Sequence, residues 1–169
     1  KAILCEGDSD ELVIQKAYMQ LNDGRLPIED GIEVISVGVS FLRFLEIADF
    51  IQTKIAVVTD NDGDMEAIKK KYKNYMGENQ NDYIKICVDN IVDTGTLKIG
   101  ESGYNYNTLE PKLLKVNGME KLNRILGTDY MEEDDLRKYM KHNKTECGLK
   151  IFESSEDIEI PEYILEAIR

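Results

Sequence analysis

The sequence is short of the residues that most often carry catalysis. Its only histidine is His142, which excludes a histidine-rich zinc site and any mechanism needing two imidazoles. Cys5, Cys87 and Cys147 are odd in number, widely spaced and free of Cys-x-x-Cys pairing. They read as reduced core or surface thiols of a cytoplasmic protein, not as a disulfide framework. No apolar run approaches the roughly 18 residues of a membrane span. Signal peptide, internal repeats and low-complexity linkers are all missing, and the absent initiator methionine before Lys1 suggests a piece of a longer protein. Basic residues are scarce as well: 21 Lys and Arg stand against 33 Asp and Glu, a formal charge of −12. That is the wrong sign for a stand-alone nucleic-acid binder, since affinity for the phosphate backbone comes mainly from Lys and Arg. Any nucleic acid would be gripped largely by other domains or subunits. Bound Mg²⁺ or Mn²⁺ would neutralise part of the excess.

What is present suits one well-buried domain of 169 residues. Ala2–Cys5 reads as a short strand broken by Gly7, with Asp8 or Ser9 as helix N-cap. Leu12, Val13, Ala17 and Leu21 then recur at helical spacing up to Asn22-Asp23-Gly24. A loop with Pro27 and Gly31 leads to a second strand over Ile32–Val37. Phe41, Leu42, Phe44, Leu45, Ala48 and Phe50 predict an amphipathic helix, and Ile55–Thr59 a third strand. A helix over Met65–Met76 carries a basic face of Lys69, Lys70, Lys71 and Lys73, and Tyr83–Val88 is a fourth strand. Alternation of this kind predicts an α/β fold with a mostly parallel four-stranded sheet flanked by helices. Residues 1–92 form that core. Residues 93–169 form a C-terminal extension packed on it as part of the same domain. The extension holds a hairpin-like excursion at Thr94–Tyr106 and helices at Glu110–Leu126 (weak at Gly118), Glu132–Lys141, Thr145–Phe152 and from Pro161.

Two stretches share one design. Ile55-Ala-Val-Val-Thr ends in Asp60-Asn-Asp62-Gly-Asp64, and Ala2-Ile-Leu-Cys ends in Glu6-Gly-Asp8-Ser-Asp10-Glu11. In open α/β sheets ligands collect beyond the carboxyl ends of parallel strands. Glu6 and Asp60 therefore point to one rim, Asp62 is aimed there by a turn loosened at Gly63, and Asp10 reaches back from the first helical turn. Hard oxygen ligands suit Mg²⁺ or Mn²⁺, and two ions about 4 Å apart clamp the attacking and leaving oxygens of a phosphodiester. The plainer reading makes the first motif a solvated turn and the second a helix cap. A calcium-binding EF-hand loop fails, because its sixth and twelfth positions fall on Met65 and Lys71 where Gly and Glu are required. An aspartyl phosphatase also uses a strand followed by Asp-x-Asp, but normally on the first strand, and it leaves Glu6-Gly7 unexplained.

A strand ending in Glu-Gly followed later by one ending in Asp-x-Asp-Gly-Asp resembles the TOPRIM domain of topoisomerases, primases and related nucleases. The wording of Cys5–Leu12, of Val34-Ile-Ser-Val-Gly38 with Phe41 and Phe44, and of Val58–Asp64 is similar to the OLD (overcoming lysogenization defect) nucleases, a group that includes the Gabija-type anti-phage nucleases. Asn107-Thr-Leu-Glu110-Pro and Asn143-Lys144-Thr-Glu-Cys-Gly add to the resemblance.

The resemblance implies a metal-dependent DNA endonuclease or nickase domain of a larger ATPase–nuclease, with two-metal phosphodiester hydrolysis. It implies Glu6 and Asp10 as ligands of one ion, Glu6 also as general base, and Asp60 and Asp62 as ligands of the other. Glu110 would complete the site, Asp64 would join the metal site from outside the direct ligands, orienting the loop or a metal-bound water, and Lys144 would offset phosphate charge, with Lys150 and Lys141 as competing lysines. Glu110 also reads as an acidic helix start, the lysine cluster as a solvated face, and Tyr104 and Tyr106 as packing rather than base stacking. The chain has no Gly-x-x-x-x-Gly-Lys-Ser/Thr loop, so no ATP site is expected here. The ABC-type ATPase would lie upstream, in a missing part through which any homo-oligomer would form. A strand-transfer or primase-type domain, or a non-catalytic metal-binding assembly module, are the rival readings.

Overall fold

The computed structural model describes residues 1–169. Four strands, β1 (Ala2–Cys5), β2 (Glu33–Ser36), β3 (Ile55–Val58) and β4 (Ile84–Cys87), form a wholly parallel sheet in the order β2-β1-β3-β4. Helices α1 (Asp8–Leu21), α2 (Phe41–Ile51) and α3 (Met65–Lys71) make the crossovers. Alternation along the strands splits the core in two. Ile3, Cys5, Ala56, Val58 and Cys87 face one layer with Val13, Ile14 and Ala17 of α1, whereas Leu4, Val57 and Ile84 face the other with Phe41, Leu45, Ile68 and Tyr72. Both faces must be covered because strands this apolar on each side have no solvated face.

The extension supplies cover for the first layer. After a small hairpin of β5 (Lys98–Ile99) and β6 (Ser102–Gly103) come α4 (Leu109–Asn117), α5 (Met119–Leu126), α6 (Glu133–His142), α7 (Lys144–Glu153) and α8 (Glu162–Ile168). Leu113, Leu122, Leu136, Met140, Ile151 and Ile164 join the same buried cluster as β1 and α1. All three cysteines are buried and unpaired, and burial pushes Cys87 and Cys147 up to about 11. None of the helices is long and apolar enough to cross a membrane.

Several expected boundaries shift. Gly7, not Asp8 or Ser9, is the N-cap of α1. The helix expected over Met65–Met76 ends at Lys71, and a 3-10 turn occupies Gly77–Asn79. Another 3-10 turn, Pro27–Asp30, sits in the loop before β2. The single helix expected from Glu110 to Leu126 is two, because Gly118 takes φ 80° and ψ 158°, which no helix accommodates. Amphipathicity of α2 is weaker than its apolar residues suggest: Phe41, Leu45 and Ala48 are buried, but Leu42, Phe44 and Phe50 are exposed.

Candidate functional site

Glu6 lies one residue beyond β1 and Asp60 two beyond β3, and those strands pair side by side. Both therefore leave the sheet at the same rim. Thr59 Oγ1 donates to Glu6 Oε1 at 2.8 Å, and the Asp60 N–H donates to the same oxygen at 3.3 Å. One oxygen of Glu6 is thus fixed to the neighbouring strand, leaving the other for chemistry. Asp10 belongs to the first turn of α1, where its Oδ2 accepts the Gly7 N–H at 3.1 Å. That bond caps the helix and at the same time holds the carboxylate beside Glu6. Glu110 arrives from the extension, on the first turn of α4, and is only 4% exposed.

The electrostatics show that these four acids share one environment. Burial, then the Glu110 and Glu6 carboxylates, push Asp10 up to about 7. Burial, then Asp10, Glu6, Glu110 and Asp62, push Asp60 up to about 9. Among Glu6, Asp10, Asp60, Asp62 and Glu110, only Glu110 has an ion-pair partner, Lys144 at 3.6 Å. The acids do not close into a cage, since no three acidic, His or Cys side chains lie together tightly enough to hold an ion. A hard divalent cation fits this donor set: all-oxygen, partly buried, and short of positive charge.

Asp62 and Asp64 are the exposed acids of the same turn, and Asp62 is close enough to raise Asp60. Asp62 sits at the exposed turn with φ 49°, and its Oδ1 accepts from Asn105 Nδ2 at 2.8 Å. Asp64 is exposed and caps α3, its Oδ1 accepting the Ala67 N–H at 2.9 Å. One oxygen of its carboxylate is therefore engaged in a helix cap. Lys144, at the start of α7, meets Glu110, whereas Lys150 bonds the Leu126 carbonyl at 2.9 Å and Glu146 at 3.1 Å. Of the two lysines, only Lys144 is at the rim. The α3 lysines form a surface face: Lys69 pairs with Glu66, and Lys71 lies over the rings of Phe41 and Tyr72. Tyr104 is buried edge-to-face against Tyr106 at 4.9 Å, which makes it packing.

A polar network that sequence reasoning did not single out holds the acid loop. Buried Asn61 donates to the carbonyls of Asp89 at 2.7 Å and Ile91 at 3.0 Å, while its Oδ1 accepts the Gly63 N–H at 2.8 Å. Lys112, 3% exposed, reaches Asp89 at 2.7 Å, Asp93 at 2.6 Å and the Ile91 carbonyl at 2.8 Å. Asn107 holds Asp93 through both its main-chain groups. The Asp60–Asp64 turn and the helix bearing Glu110 are therefore tied through one segment, residues 89–93. Asn61 could have been read as an Asx-turn residue. Lys112 carries no such signal, because a lysine in a charged helix reads as solvated.

Sheet order, crossovers and the shared rim define a TOPRIM-like α/β domain with a helical extension. Residues 1–62 match the model of the TOPRIM domain of overcoming lysogenization defect (OLD) protein-like sequences. Two solved structures of the C-terminal region of the Xanthomonas campestris pv. campestris OLD protein share the fold across 99% of this chain. Their TM-scores are 0.62 and 0.57, at 16% identity, with 89% and 91% of those chains covered. Comparison with curated proteins finds no match.

Proposed function

We propose that this chain is the metal-dependent nuclease portion of an OLD-type ATPase–nuclease, cutting DNA by hydrolysis at the acidic rim. The observation that carries the reading is the convergence of Glu6, Asp10, Asp60 and Glu110 on one rim of the sheet, Glu6 bonded to the Thr59–Asp60 turn, Asp10 to Gly7, and Glu110 brought in by the extension. A structural turn or cap needs one such acid, not four. The match of residues 1–62 to an OLD-like TOPRIM model supports the same reading.

In this account Glu6 and Asp10 hold one Mg²⁺ or Mn²⁺ ion, and Asp60 and Asp62 hold a second, with Glu110 completing the site. Bound ions of this kind supply Lewis acidity to the phosphoryl oxygens. The protein's own groups do the rest. Thr59 and the Asp60 N–H fix one oxygen of Glu6, so that its free oxygen is oriented to accept a proton from the attacking water. Lys144 leans on Glu110 and presents an ammonium to the phosphate as negative charge builds. Asp64 keeps α3 capped and the loop in place. The ATPase would be carried by another part of the protein, and the site would work in the reducing cytoplasm.

Supercoiled plasmid incubated with the full-length protein and Mg²⁺ or Mn²⁺ should be nicked. Glu6→Ala and Asp60→Ala should each slow nicking by at least about 100-fold. Nicking that persists in both variants would contradict the reading. Covalent protein–DNA adducts or primer extension would instead favour the strand-transfer or primase alternative.

A further inference from the structure

Beside the acids lies a cavity of about 180 Å³ lined by Tyr104, Asn105, Thr108, Glu110, Lys141 and Lys144. Ligand pockets for drug-sized molecules run to about 300–1,000 Å³, so this one suits a single small polar group. Two lysines face it against one carboxylate, in a protein with a formal charge of −12. Lys144 is already paired with Glu110, whereas Lys141, exposed at the end of α6, makes no ion pair. Asn105 joins the cavity to the acid loop through its 2.8 Å bond to Asp62. A larger cavity of about 300 Å³ at the other end of the sheet differs in kind. There Lys1 and Lys85 spend their ammonium groups on the carbonyls of Ala167, Ile168 and Glu166 in α8.

We infer that the Lys141 cavity seats the phosphodiester group next to the one being cut, so that the nucleic-acid strand leaves the acid cluster along the α6–α7 junction. The inference rests on the nuclease reading for the position of the scissile group. Lys141 supplies the charge there, and the second side-chain N–H of Asn105 supplies a neutral hydrogen bond that carries no base preference, while Thr108 spends its O–H on Glu110 at 3.4 Å.

The test uses the intact protein and a fluorescent duplex oligonucleotide, with binding measured in the Asp60→Asn background across a salt series. Lys141→Ala should weaken binding by about five- to tenfold and reduce the salt slope by roughly 0.7–0.9, the loss of one phosphate contact. Lys141→Arg should restore both, and Lys138→Ala, one turn away, should change neither. In the nicking assay Lys141→Ala should raise KM and leave kcat within about twofold of the parent. An unchanged salt slope in Lys141→Ala overturns the inference even where the parent cuts DNA. A Lys141-dependent slope in a protein that never cuts keeps Lys141 as a phosphate contact but overturns both the nuclease reading and the placement of that phosphate beside a scissile one. A parent that binds no duplex overturns both.

Discussion

Asp60 and Asp10 are held in the structure at a cost that their neighbours impose. An aspartate ordinarily ionises near 3.8, yet burial and the surrounding carboxylates raise Asp60 to about 9 and Asp10 to about 7. Between the ordinary value and the raised one, the folded chain binds more protons than the unfolded chain. Stability from these groups is therefore greatest at low pH and falls as pH rises from about 4 toward 9. The metal-free protein should show a Tm that declines across that window, with the decline flattened by added Mg²⁺. Asp60→Asn, which is neutral without taking up a proton on folding and keeps the shape, should raise the Tm of the metal-free protein at pH 8. A gain of about 1 kcal/mol corresponds to roughly 2–4 °C for a chain of this size. An unchanged or lower Tm for Asp60→Asn in chelator would mean that Asp60 is adequately compensated, and that the rim is an ordinary polar turn.

At the scale of elements, the site depends on contacts between the core and the extension. α7 carries Lys144 and lies against α1, which carries Asp10. The close approach is made at Gly148, where an added Cβ would stand 3.1 Å from Ser9 Cα and 3.2 Å from Leu12 Cδ1. Backbone on one side cannot yield cheaply, so Gly148→Ala should cost about 1–3 kcal/mol by denaturant unfolding. It should also lower cleavage by moving Lys144 away from Glu110; an unperturbed midpoint would show that the helices are free to separate. The sheet, its parallel crossovers and the pairing of Glu6 with Asp60 were legible because short β-branched strands ended in acids with glycine turns behind them. The break at Gly118 was visible only as a weak point. The end of α3 at Lys71 was not visible, since Tyr72, buried between Phe41 and the sheet, serves equally well beyond a helix as within one.

Across the whole molecule, charge is distributed unevenly around one rim. Acids gather where β1 and β3 end, while Lys141 and Lys144 stand on the extension side of the same opening. That the extension brings Glu110 and Lys144 together near Asp10 and Asp60 was signalled only by the resemblance at Asn107–Glu110 and Asn143–Lys144, because no local pattern brings α4 to β3. Lys112 and Asp93, which help fix that geometry, are distant in sequence and carried no pattern of their own, while Asn61 showed only as a turn residue. Asp64, expected to support the acidic loop, caps α3 through the Ala67 N–H. The central claim is that Glu6, Asp10, Asp60 and Asp62 form one divided metal site. Anomalous scattering from crystals soaked in Mn²⁺ tests it most directly. Two peaks are predicted, one between Glu6 and Asp10 and one between Asp60 and Asp62. A saturating soak that leaves these carboxylates without Mn²⁺, or places it only elsewhere, would contradict the account.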